Sequence, residues 1–183
     1  FLFYLTFLGG GASLPPSKHL QPDIDILIDD DRWGAFDFDA LATQAVLCVF
    51  DDMDIKAAEV SLLACDDGRI TELNADFRDK PTPTNVLSWP ETDLRADKDG
   101  GEPARPSPDA NGTISLGDIA ISYDTCAREA AEQGKPMKNH VTHLIIHGTL
   151  HLLGYDHMRD LDATRMETLE VKLLGILGVP DPY

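Results

Sequence analysis

The chain has 183 residues, enough for one core-forming unit, since domains cluster near ~100–150 residues. Hydrophobic residues make up 43% of it, and three scattered cysteines (Cys48, Cys65, Cys126) offer no CxxC pair, so buried free thiols in a reducing, cytoplasmic setting are expected rather than a disulfide framework. A formal charge of −17, from 15 basic and 32 acidic residues, argues against a general nucleic-acid binder and confines any RNA-contacting face to a local patch.

The chain opens on an apolar run, Phe1 to Leu8, followed by Gly9-Gly10-Gly11 and Pro15-Pro16. The run is far shorter than the ~20 residues that span a bilayer, and no basic stretch precedes it as in a signal peptide. Residues 1–21 are expected to be an extension outside the fold, a mis-called start or a cloning remnant, with the domain over 22–183.

Asp23 to Asp29 alternates polar and apolar, which predicts a half-buried strand. Asp39 offers an N-cap for a helix from Ala40 to about Phe50. Glu59 to Ala64 predicts a second strand, closed by the turn signal Asp66-Asp67-Gly68. A helix follows from Ile70 to Phe77, and Pro81 and Pro83 forbid helix or central strand beyond it. Val86 to Trp89 is a short strand. Glu91 to Asn111 is rich in Asp, Gly and Pro, with Leu94 its only large apolar residue, and is expected to be a mobile loop dispensable for folding. Its Arg95, Lys98 and Arg105 are clustered cations in an acidic chain. Ile114 to Ile121 resumes a strand; Ser122 or Asp124 can cap a helix to about Gln133, ended by Gly134 and Pro136. Helices over Met137–Leu153 and Leu161–Leu177 complete an α/β (α+β) fold, a small mixed four-stranded sheet covered by about five helices.

The chemistry concentrates near the end of the helix that starts at Met137. Four of the six histidines fall between His143 and His157. His147 and His151 are four apart, which on a helix places them on one face with Cβ atoms roughly 5–6 Å apart. That gap suits two imidazoles converging on one Zn²⁺ at ~2.0–2.1 Å. Gly154 is placed to end the helix in the left-handed conformation and turn the chain back, so that His157 can supply a third ligand. Three protein ligands leave the fourth tetrahedral position open, the pattern of catalytic zinc. His143, one turn earlier, can be a further ligand, a partner that supports a ligand from behind or a base lining the site, the supporting role being favoured, and Asp156 is expected to orient a ligand through its second ring nitrogen. His140 and His19 read as ordinary surface residues.

The spacing resembles the metzincin protease motif H-E-x-x-H-x-x-G-x-x-H, but Gly148 stands where that family has its general-base Glu. Gly148 falls instead on the stripe of Leu144 and Leu152, where a missing side chain lets another element approach.

From His147 to His157 the chain resembles the YbeY family of endoribonucleases, the bacterial rRNA maturation factors, matching H-G-x-L-H-L-x-G-Y-D-H at each defined position. Two further segments agree in order: Phe77-Arg78-Asp79-Lys80 with Pro83-Thr84-Asn85-Val86-Leu87-Ser88-Trp89-Pro90, and Leu116-Gly117-Asp118-Ile119. Trp89 replaces the family's usual Phe, Pro81 stands where Asp is common, and the 91–111 loop is long. The resemblance implies one zinc per chain on His147, His151 and His157, and catalytic importance for His147 and Arg78. It further implies that Arg78 and Lys80 bind substrate. The implied activity is a single-strand-specific, metal-dependent endoribonuclease in small ribosomal subunit quality control and in rRNA maturation, at the 3′ end of 16S rRNA. The implied partners are rRNA and the small subunit, with no membrane and no DNA. The alternatives are a zinc metalloprotease-like hydrolase and a non-catalytic assembly factor stabilised by zinc. For Asp118 a role near the sheet backbone is favoured over a catalytic one.

Overall fold

A computed structural model describes residues 21–110 and 112–183. The expected extension over residues 1–21, with His19, lies almost wholly outside the described residues.

Strand β1 (Asp23–Ile28) sends Ile24, Ile26 and Ile28 to the core and its aspartates outward, as period-two alternation requires. A short 3-10 helix over Asp31–Phe36, which the sequence pattern did not disclose, leads into α1 (Phe38–Asp52). It buries Trp33, whose indole N–H donates to the Cys65 carbonyl at 2.9 Å while its ring meets Phe36, Phe38 and Tyr123. The N-cap position of α1 is Asp37; Asp39 lies inside the first turn. Strand β2 (Glu59–Cys65) then leads to α2 (Asp67–Arg78), capped by Asp66, whose carboxylate accepts from the Arg69 N–H at 2.7 Å.

Strands β3 (Val86–Pro90) and β4 (Ser115–Ser122) complete the sheet, and α3 (Tyr123–Glu132), α4 (Met137–Leu152) and α5 (Asp160–Ile176) follow. The strand order is β1-β2-β4-β3, with β1, β2 and β4 parallel and β3 antiparallel on the edge beside β4. Pro90 ends that edge strand, where a missing N–H costs no ladder bond. Among the described residues this is the mixed four-stranded sheet and five-helix complement expected.

One sheet face carries the main core. Val60, Leu62, Ile119 and Ile121 pack there with α1 and α4, and α5 closes over these helices through Met166, Leu173 and Leu174. The opposite face holds a smaller cluster of Cys65, Leu87 and Ala120 under Ile70 of α2. The three cysteines are free, and Cys65 and Cys126 are buried. Helix α4 lies at the centre, touching α1, α3, α5 and both β3 and β4. Gly148 makes that possible: a Cβ there would sit 3.2 Å from Ile119 Cδ1, so the helix backbone rests almost directly on β4. Among the described residues no helix is long and apolar enough to cross a membrane.

The segment after β3 corrects an expectation. Residues 93–104 pack on the domain rather than running free. Leu94 is buried against Gly154. Asp99 Oδ1 accepts from the N–H groups of Leu161 and Asp162 at 3.1 and 3.3 Å, capping α5 from outside the helix. The Gly100 N–H donates to Asp162, and Arg159 donates to the carbonyls of Ala96 and Asp97 at 2.7 and 3.0 Å. Counting apolar residues missed this because the anchors are polar and lie on a distant element. Arg95 is also engaged, paired with Asp93 at 2.8 Å.

Candidate metal centre

Helix α4 carries His143, His147 and His151 at four-residue steps, so they share one face. The helix ends at Leu153, and Gly154, at φ 87°, turns the chain back. The Gly154 N–H donates to the His151 carbonyl at 3.0 Å and that of Tyr155 to Leu150 at 3.0 Å, the paired bonds of a Schellman end. A Cβ on Gly154 would lie 2.6 Å from the Leu94 backbone, so conformation and space both demand glycine there. The reversal delivers His157 to His147 and His151, with ring centroids 5.4 and 5.0 Å away.

The ring nitrogens have defined roles. His147 Nδ1–H donates to Glu170 Oε1 at 2.6 Å, and His151 Nδ1–H donates to the Tyr155 carbonyl at 2.9 Å. With both Nδ1 atoms committed as donors, each Nε2 carries a lone pair, and the two Nε2 atoms face each other at 3.1 Å. In the neutral rings two such lone pairs do not hydrogen-bond to each other, an arrangement suited to sharing one cation. Nitrogens bound ~2.0–2.1 Å from a tetrahedral ion lie roughly 3.3 Å apart, so the pair fits a zinc-sized ion. Ligand atoms of His147, His151 and His157 all lie within 4.8 Å of one another. The donor set is three imidazoles, with His157 exposed on the solvent side.

The supporting residue that the sequence reading missed is Glu170. It is fully buried on α5, and its carboxylate joins His147 to His143, whose Nε2 lies 3.1 Å from Oε2. The Tyr183 hydroxyl donates to the same Oε2. Burial alone would push this carboxyl up, but the bonds from His143, His147 and Tyr183 outweigh it and hold it well below the usual carboxylate range. One signal was available: Met166, Glu170 and Leu174 are four apart, so an acid occupies an inward position of an apolar stripe. Ligand atoms of His143, His147 and Glu170 also gather within 4.8 Å, but they satisfy one another by hydrogen bonds, so this trio supports the first site rather than forming a second.

His143 thus lies behind His147, linked to it through Glu170. Asp156 does not orient a histidine ring: its Oδ1 accepts from the His157 backbone N–H at 2.7 Å, and its Oδ2 faces Arg95 at 3.9 Å. A residue adjacent in sequence to a ligand is bonded to backbone by geometry; the ring's partner comes from another helix. His140 is buried, not a surface residue, with Nε2 2.8 Å from Glu129 Oε2. Burial and the neighbouring His147 and His157 push His151 down from 6.5 to about 4, so it is held as the neutral ligand form.

Arg78 and Lys80 stand elsewhere, exposed at the end of α2 and in the turn after it. Arg78 donates to the Ser88 carbonyl of β3 at 3.3 Å, and Ser88 pairs with Ile119, the residue under Gly148. No contact among the described residues joins Arg78 or Lys80 to the histidines. Asp118 is exposed on β4. A Cβ at position 148 would face Ile119, so the general base of the protease motif has no place at that position.

The family model described as Endoribonuclease YbeY matches residues 26–178. A protein named Endoribonuclease YbeY from Ruegeria pomeroyi is 56% identical over 162 residues, covering 87% of this chain and 97% of its own. One of the same name from Dinoroseobacter shibae is 52% identical over 173 residues, covering 93% and 96%. A solution structure from Thermotoga maritima, 20% identical, shares the fold with a TM-score of 0.53 over 85% of this chain and 91% of that one.

Proposed function

This chain belongs to the YbeY family of endoribonucleases, and from that membership we propose that it is a zinc-dependent endoribonuclease cutting single-stranded RNA. Its place is the maturation of small-subunit rRNA, at the 3′ end of 16S rRNA, and small ribosomal subunit quality control. The observation that carries the metal dependence is the opposition of the His147 and His151 Nε2 lone pairs at 3.1 Å, each enforced by a hydrogen bond on the far side of its ring.

His147, His151 and His157 would hold the zinc, which would supply a Lewis acid for a phosphoryl oxygen and lower the pKa of a water to about 7. The protein's own work is positional. Glu170 keeps the His147 proton on Nδ1, and the Tyr155 carbonyl does the same for His151. The Asp156 carboxylate fixes the backbone that carries His157. Arg78 presents a planar guanidinium for paired contact with phosphate, its exposed side chain tethered by the Ser88 carbonyl. Lys80 adds a second cation beyond the helix end. No ion pair of Arg78 with Asp76 or Asp79 competes for it among the described residues.

RNA cleavage by zinc-loaded protein tests the reading, with His147→Ala and Arg78→Ala alongside. His147→Ala should lose zinc and activity together. Arg78→Ala should keep zinc and lose activity, with Arg78→Lys recovering only part, because an ammonium cannot make the fork contact. Zinc binding without cleavage of any single-stranded RNA would leave the assembly-factor reading in its place.

A further inference from the structure

The residues after 178 lie beyond the family match, yet they return to the metal centre. Helix α5 ends with Gly178 at φ 72°, and the N–H groups of Gly178 and Val179 donate to Gly175 and Leu174 in the same Schellman pattern that ends α4. The chain reverses and runs toward the start of α4. Lys135, in the turn between α3 and α4, donates to the Pro182 carbonyl at 2.5 Å. The Asp181 side chain accepts from the Tyr183 N–H at 2.9 Å, while the Tyr183 side chain stays largely exposed. The Tyr183 ring stands edge-on to His143 at 5.8 Å, and its hydroxyl donates to Glu170.

We propose that Tyr183 is a positioning residue of the metal centre: its hydroxyl fixes the Glu170 carboxylate so that Oε1 is kept for the His147 Nδ1–H. A carboxylate turns easily about its last side-chain bond, and its two oxygens are equivalent until donors distinguish them. Two donors on Oε2, His143 from α4 and Tyr183 from the returning tail, hold that torsion. Oε1 then has one task, and the His147 ring presents Nε2 to the ion. The hydroxyl donates whatever tautomer His143 adopts, whereas the His143 bond requires its proton on Nε2. The inference rests on the zinc site proposed above and adds a third layer behind it.

The bland alternative is that Tyr183 only packs against His143. Tyr183→Phe keeps the ring and removes the hydroxyl; Tyr183→Ala removes both. The measurements are zinc affinity of the full chain by competition with a chromogenic chelator, the visible spectrum of the cobalt(II)-loaded protein, and melting of the metal-free protein. Removing a partner that touches a ligand costs ~10–100-fold in metal affinity, so Tyr183→Phe, one layer out, should weaken zinc by up to about tenfold. It should shift the cobalt bands in the same sense as Glu170→Gln and leave the melting temperature in place. Tyr183→Phe that binds zinc and cobalt as the unaltered chain does overturns the proposal, whatever Tyr183→Ala does. Failure of the unaltered chain to bind zinc at all overturns the site itself, a result plainly separate from the first.

Discussion

His151 is kept neutral by burial and by the neighbouring His147 and His157, at about 4 against 6.5 for a free imidazole. In the unfolded chain the same ring takes its proton near ~6.5. The unfolded state therefore binds more protons below that pH, and the stability this site confers is complete above about 6.5 and lost as the pH falls toward about 4. The loss is up to about 3 kcal/mol, taking 1.36 kcal/mol per pKa unit. Chemical denaturation of metal-free protein at pH 7.5, 6 and 4.5 should show it, and His151→Gln should flatten the profile; equal slopes for both proteins would sink this reading. Zinc loading should weaken over the same range, since imidazoles bind metal only when deprotonated. Glu170 acts one bond further out. Replacing it with Gln leaves the His147 tautomer free to invert, and zinc affinity should fall about 10–100-fold with all three ligands present. Unchanged affinity in a chelator competition would mean that the Glu170–His147 bond does not direct the ring.

At the scale of elements, the contact of most consequence joins the long connection after β3 to the start of α5. The N-cap residue of α5 is Arg159, whose side chain makes no capping bond, and Asp99 fills that role from across the structure. Loss of an N-cap side chain costs ~0.5–2 kcal/mol, so Asp99→Ala should destabilise by about 1 kcal/mol. Replacing residues 93–109 with a short Gly/Ser turn removes more: the buried Leu94, the Asp162 bond from Gly100 and the two carbonyls held by Arg159. Such a replacement should lower the melting temperature clearly. It should also loosen the turn that carries His157, because the Leu94 backbone rests on Gly154. Thermal melts with zinc titration would check both effects; a melting temperature unmoved by the replacement would show that the packing carries no stability.

For the whole molecule, a charge of −17 and an RNA substrate oppose each other. Each phosphate neutralised on a single strand contributes about −0.7 to the slope of log K against log salt. If Arg78 and Lys80 make the phosphate contacts, the slope should be no steeper than about −1.4. Added salt also screens the repulsion from the rest of the surface, which flattens it further. Fluorescence anisotropy with a labelled single-stranded oligonucleotide and the metal-free protein measures this. A slope of about −4 or steeper would reveal a broad basic face and contradict a local contact.

Periodicity alone laid out the strands and helices, because each buries one face and the spacing of apolar residues reports that face directly. The gathering of His147, His151 and His157 was legible for the same reason: an i, i+4 pair and a glycine stop are local geometry. The 3-10 helix around Trp33 was not, being held by the Cys65 carbonyl and by rings from other elements. Nor was the packing of residues 93–104, whose partners lie on α5. Asp156 attracted a role through adjacency that belongs to Glu170, more than a dozen residues onward, and Tyr183 reaches that carboxylate only because the chain reverses after α5. Which atoms can bind a metal is a property of residue type and short-range spacing. Which proton each ring keeps depends on the group behind it, and only the packing of α5 and the tail against α4 put that group in place.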